Sequence, residues 1–355
     1  MGTSLLTNQS AMNALQTLRS IGDNMDTTQR RVSTGLRINE ASDNTAYWSI
    51  SSMMKSDRNA LSSVSDAMAL GKSQIDVANA TIDKSKDYLD NIQKSLTTAY
   101  EKGSGDIKKI QADIKANMND IQSAVYSASL AEKNILGNNG ESVRIAGSYR
   151  REGSAVYVDM IDVGGADLNF ATKGADGTFD LTKGQLKDIF GQATTKPDFA
   201  DLDDKLQQAQ KALTDAGESA TDQQKSAVTE AQNKLDDAVK NMTVKDFVDA
   251  DFSKVSSATM ERILKSVQGK VTSATSNVVT AGATLGAAKA QVTGQIDYVS
   301  KLMDAVDKGV GSLVDADMNA ESARLASLQV QQQLGIQALS IANQNSQNIL
   351  SLFRQ

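Results

Sequence analysis

The residue types that most often do chemistry are missing from this sequence. There is no His and no Cys among its 355 residues. Without them neither a Ser-His-Asp triad nor a Cys nucleophile can be built, and no zinc site of the usual Cys/His kind can form. Asp, Glu and Lys are plentiful, so a carboxylate pair or a lysine base is conceivable. No spacing sets any of them apart from solvated surface charge, so no catalytic, cofactor-binding or metal-binding residue can be named. What the pattern does offer is association. Near one end Ala11, Leu15, Leu18, Gly22, Met25, Gln29 and Val32 step by fours and threes, a heptad seam with two weak positions, Gly22 and Gln29. Near the other, Met318, Leu325, Leu328, Leu339, Ala342 and Ile349 step by threes, fours or their sums.

Composition narrows the classes further. The chain has 43 acidic and 37 basic residues and a formal charge of −6, which opposes a nucleic-acid binder with its usual basic face. The length suffices for two or three compact domains. Zero Cys permits any redox compartment and suits an exported protein that must not cross-link. Met1 to Leu18 is uncharged, but Gln, Asn, Ser and Thr interrupt its apolar positions. It lacks the basic start and continuous apolar stretch of a cleaved signal peptide. No segment is apolar for long enough to span a membrane. The expectation is a protein that stays in the cytoplasm or leaves by a route without a cleaved signal.

The elements that must hold these seams read mainly as helix, from the scarcity of Pro and the wealth of Ala, Ser, Gln, Asp and Lys. The spacing predicts a helix over 4–33, then a loop from Ser33 to Asn39. A long helix follows, capped near Ser42-Asp43 and running to about Tyr100. A second covers about 106–131. Ser142 to Ala146 and Ala155 to Ile161 alternate and read as a β-hairpin, with Gly147 to Ser154 as its loop. Two short strands are expected at Leu168 to Ala171 and Thr178 to Leu181. Residues 198–242 read as a charge-rich antiparallel helical hairpin broken at Gly217. Another very long helix spans 257–314, with Gly269, Gly282 and Gly286 softening it or admitting a close neighbour. The last starts near Asp317. The fold class is therefore mainly α with a small β portion: a long antiparallel bundle or coiled coil formed by the N- and C-terminal segments, a β-hairpin, and a small inserted outer α+β domain.

The two ends share an unusual chemistry. From Leu325 to Phe353 there is no charged residue, and Gln, Asn and Ser fill the positions between apolar ones. Such amides are costly in lipid, so this is not a membrane span. A solvated helix normally carries charge on its outer face. Helices without it are covered on several sides, which two isolated helices cannot do for each other. A monomeric intramolecular coiled coil is the plainer alternative, but the uncharged outer faces favour pairing of the ends followed by contact with other copies. A head-to-tail contact that does not close gives an open helical polymer.

Ser33-Thr34-Gly35-Leu36-Arg37-Ile38-Asn39, preceded by Val32 and followed by Ala41-Ser42-Asp43-Asn44-Thr45-Ala46, closely resembles the N-terminal signature of bacterial flagellins. Asn343 to Arg354 is similar to that family's C-terminal signature, and Leu285-Gly286-Ala287 also fits. The resemblance covers about 1–165 and 255–355, and Ala46-Tyr47-Trp48-Ser49-Ile50 looks like the alpha-proteobacterial, rhizobial type. It implies a structural subunit of the helical flagellar filament, with no catalysis and no cofactor. It implies an inner core domain from 1–35 and 317–355. A helical shell with the β-hairpin would come from 36–165 and 256–316, and an outer surface domain from 166–255. It implies extracellular localisation after unfolded export by the flagellar type III apparatus. The implied partners are further copies, other flagellin isoforms, an export chaperone on the C-terminal helix, and cap and hook-associated proteins. Neither nucleic acid nor membrane insertion is implied. The β-hairpin region would take part in switching between two packings that set the supercoil.

Departures from the family pattern fall at Ser42, Asn44 and Tyr47, in the segment matching the plant-immunity epitope. Another falls at Asn91, where the family places an Arg that contacts an animal Toll-like receptor. Weak detection by both receptors is expected. Arg37 and Asn39 either cap locally or, for Arg37, make an ion pair between domains or subunits. Trp48 is either a core or a subunit-contact aromatic, and Arg150-Arg151 reads as a solvated pair in the hairpin loop. Two other proteins with similar ends remain in view: a hook–filament junction protein, and a type III translocator or adhesin, which should lack the Ser33-to-Asn39 signature.

Overall fold

A computed structural model describes residues 8–102, 106–153, 155–175, 177–193 and 196–352, with the side chains of 101, 102 and 345–352 outside the description. Its helices are α1 (Gln9–Thr34), α2 (Thr45–Lys102), α3 (Ile107–Ser127), α4 (Lys187–Phe190), α5 (Phe199–Ala216), α6 (Asp222–Asn241), α7 (Val244–Asp249), α8 (Ser257–Val314) and α9 (Met318–Leu352). Three antiparallel strand pairs interrupt them: β1 (Ser129–Leu130) with β2 (Lys133–Asn134), β3 (Ser142–Glu152) with β4 (Ala155–Gly164), and β5 (Thr172–Lys173) with β6 (Phe179–Asp180). The mainly α class with a small β portion holds. The first four residues of the expected 4–33 helix lie outside the described residues.

The chain divides into two compact units, residues 1–62 with 300–355 and residues 63–299. Helices α2 and α8 contribute to both. The expected inner boundary near 35 and 317 falls inside the first unit.

The second unit has a core built from helical stripes. Ile75, Ile82, Leu89, Ile92 and Leu96 of α2 are buried. So are Ile107, Ile110, Ile114, Met118, Ile121 and Val125 of α3, at steps of three and four. From α8 come Ile263, Val267, Val271, Val278, Leu285, Val292 and Val299. Of the α8 glycines, Gly282 stands where Ile82 comes close, while Gly269 and Gly286 face open space. The β3–β4 hairpin is seated through Ile145, against which a Cβ at Gly71 would collide.

Three local expectations are corrected. The cap of α2 is Asn44, whose Oδ1 accepts from the Tyr47 N–H at 3.1 Å. Asp43 instead closes the preceding loop, accepting from the N–H groups of Asn39 and Glu40. The hairpin strands run on to Glu152 and from Ala155, with a register shift between Ala146 and Ser148. Arg150 and Arg151 are thus strand residues; the Arg150 guanidinium lies 4.5 Å from the Tyr157 ring centroid and 3.5 Å from Asp159. The strand expected within 178–181 forms at 179–180, but its partner is 172–173 and not 168–171: Leu168 ends a short 3₁₀ turn, and Leu168, Phe170 and Ala171 are all buried instead of alternating.

The helical hairpin forms as expected, α5 and α6 meeting along Leu206, Leu235 and Val239 and breaking at Gly217. Its base is tied to α8 by Asp203, which is 1% exposed. Asp203 accepts from the Ser256 N–H at 2.7 Å, the Ser256 hydroxyl at 2.9 Å, the Thr259 hydroxyl at 2.5 Å and the Gln207 amide at 2.7 Å. It satisfies the start of α8 as a side-chain cap from another helix would.

Candidate assembly surface

In the first unit α1 and α9 run antiparallel. At one end of the pair the Asn8 amide donates to the Ala342 carbonyl at 2.9 Å; at the other Arg31 meets Glu321 at 3.2 Å. The spacing predicts the seam Ala11, Leu15, Leu18, Gly22, Met25, Gln29, Val32. The structure keeps Ala11, Leu18, Met25 and Val32 on the covered face, but it fills the alternate positions with Ala14, Ile21 and Thr28. Leu15 is 41% exposed and Gln29 is exposed as well, while Gly22 is half-buried. Both frames alternate threes and fours, so spacing could not separate them. Leu15 is the more apolar residue beside Ala14, and it drew the seam one position too far.

On α9 the covered face is Glu321, Leu325, Leu328, Gln332, Gly335, Leu339 and Ala342, again by fours and threes. Met318 is exposed and Leu328 buried. Ile349 lies among the residues whose side chains are not described. Gly335 lets Leu18 and Ile21 approach. Beyond this seam large apolar groups stand open. Met12 and Leu15 on α1 are exposed, and on α9 Val330 is 56%, Leu334 58%, Ile336 55% and Ile341 63% exposed. These are more than scattered surface residues, because the α9 group lies in a run from Leu325 to Phe353 that carries no charge.

The loop from Ser33 to Asn39 joins the pair to α8. Ser33 and Thr34 close α1, and Gly35 caps it in the left-handed conformation, φ 71°, which a side chain would strain. Leu36 bridges Asp315. Arg37 and Ile38 both donate their N–H groups to the Val314 carbonyl, and the Gly35 carbonyl accepts from Ala316. The Arg37 guanidinium donates to the Leu313 carbonyl at 2.9 Å, so it caps the end of α8 within the chain, where a cation also suits the helix dipole. Ile38 is buried with Val310 and Val314. The Asp43 carboxyl is held below its ordinary range by the N–H groups of Asn39 and Glu40, with help from the nearby Arg30 and Arg31. Ser42, Asn44, Tyr47 and Asn91 are all exposed, as are Trp48, Ile50 and Met53.

Nothing in this arrangement resembles a reaction centre. Among the described residues no cluster of three or more acidic groups could hold a metal ion, and no helix is long and apolar enough to cross a membrane. The loop, the paired termini and the open apolar faces are those of a subunit. Residues 5–141 match the family model for the bacterial flagellin N-terminal helical region, and residues 268–353 that for the bacterial flagellin C-terminal helical region. A flagellin of Bartonella bacilliformis is 49% identical, over 96% of this chain and 97% of that one. A flagellin of Brucella melitensis biotype 1 is 40% identical over 99% of both chains. Flagellin A of Rhizobium meliloti is 34% identical over 99% of this chain and 100% of its own.

The chain belongs to the bacterial flagellin family.

It is a flagellin of alpha-proteobacterial type, a structural subunit that self-assembles into the flagellar filament, and not an enzyme. The junction-protein and translocator alternatives are not favoured by these matches.

Proposed function

We propose that the filament contacts of this flagellin are carried by α1 and α9, through the paired seam of Ala11, Leu18, Met25, Val32, Leu325, Leu328, Leu339 and Ala342. The faces that bear Leu15 and Met318 would meet other copies. The observation that supports this most is the open apolar surface of Val330, Leu334, Ile336 and Ile341 on the part of α9 that follows Arg324 and carries no charge. Covering a half-exposed aliphatic side chain is worth about 1 kcal/mol, small for one pair and large when repeated at every subunit. In this reading 1–35 and 317–355 form the inner layer, 36–165 and 256–316 the next shell, and 166–255 the outer surface. The helical hairpin is the solvated part of that surface.

The finer biology rests on the family resemblance. Export is unfolded, through the flagellar type III apparatus without a cleaved signal. A chaperone masks α9 beforehand, and cap and hook-associated proteins bound the filament. The test is assembly. Purified monomer is given short filament seeds and viewed by negative-stain electron microscopy, beside a version lacking 325–355. Long uniform filaments from the full chain and none from the truncation are expected. A full chain that stays dispersed with seeds would overturn the reading. The receptor departures have their own readouts. A peptide of residues 30–51 should give little oxidative burst in leaf tissue, and purified monomer little signal in Toll-like-receptor reporter cells.

A further inference from the structure

The apolar seam between α1 and α9 has a weakness: it does not define its own register. Its covered positions are Ala, Leu, Ile, Met and Val at a regular three-four spacing on both helices, with Thr28, Gln332 and Gly335 among them. Sliding α9 by one heptad along α1 places Leu328 where Gly335 stood, facing Leu18. Apolar packing alone separates such alternatives poorly. Yet the outer faces must be presented in one register if every subunit is to offer the same surface.

Besides the backbone contacts of residues 35–38 with 314–316 ahead of α9, two polar side-chain contacts within the pair break the degeneracy. The pair of Arg31 and Glu321 is the one ion pair between α1 and α9 among the described residues, at 3.2 Å, with side chains 27% and 13% exposed. Glu321 occupies a covered seam position in step with Leu325 and Leu328. At the far end Asn8 caps α1 through its Oδ1, which accepts from the Ala11 N–H, while its amide donates to the Ala342 carbonyl. That slip carries Glu321 to the place of Leu328 and leaves Arg31 beyond the start of α9, so the pair is broken. The pair is also joined through a single contact, with Arg31 Nε and Glu321 Oε2 buried and unpartnered. A half-enclosed pair of that kind is poorly suited to raising stability, whereas a single polar pair in a repetitive seam is well suited to fixing alignment.

We propose that Arg31 and Glu321 are positioning residues for assembly: they set the register of α9 against α1 and so fix the surface that one flagellin offers the next. This rests on the α1–α9 pairing proposed above, and the test separates the two. The chain contains no Cys, so introduced pairs report without background. A Leu18→Cys, Gly335→Cys variant reads the native register, and a Leu18→Cys, Leu328→Cys variant reads the slipped one. Intrachain cross-links are identified by peptide mass in oxidised filaments. With Arg31 and Glu321 intact, only the first should cross-link. With Arg31→Leu, Glu321→Leu added, filaments should still form, but the preference for the native cross-link should fall by about tenfold or more. The exchange Arg31→Glu, Glu321→Arg should restore it, which a merely stabilising role would not require. Native-only cross-linking in the apolar variant overturns the proposal. So does loss of filaments in both the apolar variant and Glu321→Gln, which would make the pair a stabilising element. If the native pair fails to cross-link in filaments with Arg31 and Glu321 intact, the α1–α9 pairing itself is wrong, and both readings fall.

Discussion

In the second unit the stripes of α2, α3 and α8 put Ile75, Leu89, Ile114, Ile121, Val271 and Val278 wholly out of reach of water. In α1 and α9 the same three-four spacing buries only Ala11, Thr28 and Leu328 among the described residues. Periodicity does not differ between these regions; the number of apolar faces that can be matched within one chain does. Three long helices with β3–β4 laid on them have enough partners to close a core. Two helices have one contact line, and every apolar residue off that line stays open. The comparison teaches that the stability of this flagellin resides in one region and its unfinished surface in the other.

Core truncation tests the first half of that statement with the largest expected effect. Leu89→Ala, at a fully buried α2 position, should destabilise the monomer by about 2–5 kcal/mol, read as a lowered midpoint in urea unfolding followed by circular dichroism. Leu334→Ala on the open face of α9 should leave that midpoint unchanged. If both variants shift the monomer midpoint alike, α9 is already part of the folded core and the comparison fails.

The helical hairpin of α5 and α6 sharpens the comparison through pH. Burial alone would raise the Asp203 carboxyl, but hydrogen bonds from Thr259, Ser256 and Gln207 outweigh it and hold the group below its ordinary value of 3.8. A carboxyl depressed in the folded state contributes stability that is present above its unfolded pKa and lost as pH falls through the folded one. The second unit should therefore weaken below about pH 4. Asp203→Asn should remove part of that acid dependence, and should cost about 1–3 kcal/mol at neutral pH because the Ser256 and Thr259 donors lose a charged acceptor. Urea midpoints at pH 3.5 and pH 7 for both proteins decide it. An unchanged acid slope in the variant would remove Asp203 from the account.

Much of this was legible from residue pattern, and the failures are instructive. The long helix 257–314 followed from its apolar steps, and Gly217 marked the hairpin break because nothing else in 198–242 stops a helix. The α1 seam falls on Ala14 and not on Leu15 because both satisfy a three-four count, and only the partner helix decides between them. The α2 cap was placed at Ser42-Asp43 because Asp and Asn are equally good caps; the demand of the loop for Asp43 at the Asn39 and Glu40 amides settled it on Asn44. Arg31 and Glu321 are far apart in sequence, and nothing local announces their pairing. Arg37 reads as a cap or an ion pair from the sequence, and within the chain Leu313 supplies its acceptor.

On the unfinished side the expected effects are smaller and kinetic. Leu334→Ser and Ile341→Ser should each slow seeded elongation about fivefold, the equivalent of about 1 kcal/mol of lost apolar contact, measured by light scattering at fixed seed concentration. Asp204→Asn on the solvated hairpin should leave elongation unchanged. Equal rates for all three would mean that the open α9 face is not a growth contact.

The smallest signal is spectroscopic and bears on where the unfinished region ends. Trp48 is the only tryptophan and is 40% exposed at the start of α2, beside exposed Tyr47, Ile50 and Met53. That excludes a core role for Trp48 in the single chain. No charge falls between Asn44 and Met54, so this surface has the same uncharged, apolar character as the open face of α9. If it too is covered by another copy, Trp48 emission should move to shorter wavelength by a few nanometres as filaments grow, and acrylamide quenching should drop. Both are measurable on the unmodified protein, since no second tryptophan contributes. Emission and quenching that stay at their monomer values in full-length filaments would confine the unfinished surface to α1 and α9. The exposed start of α2 would then be filament exterior, and its aromatic pair would need a reason other than assembly.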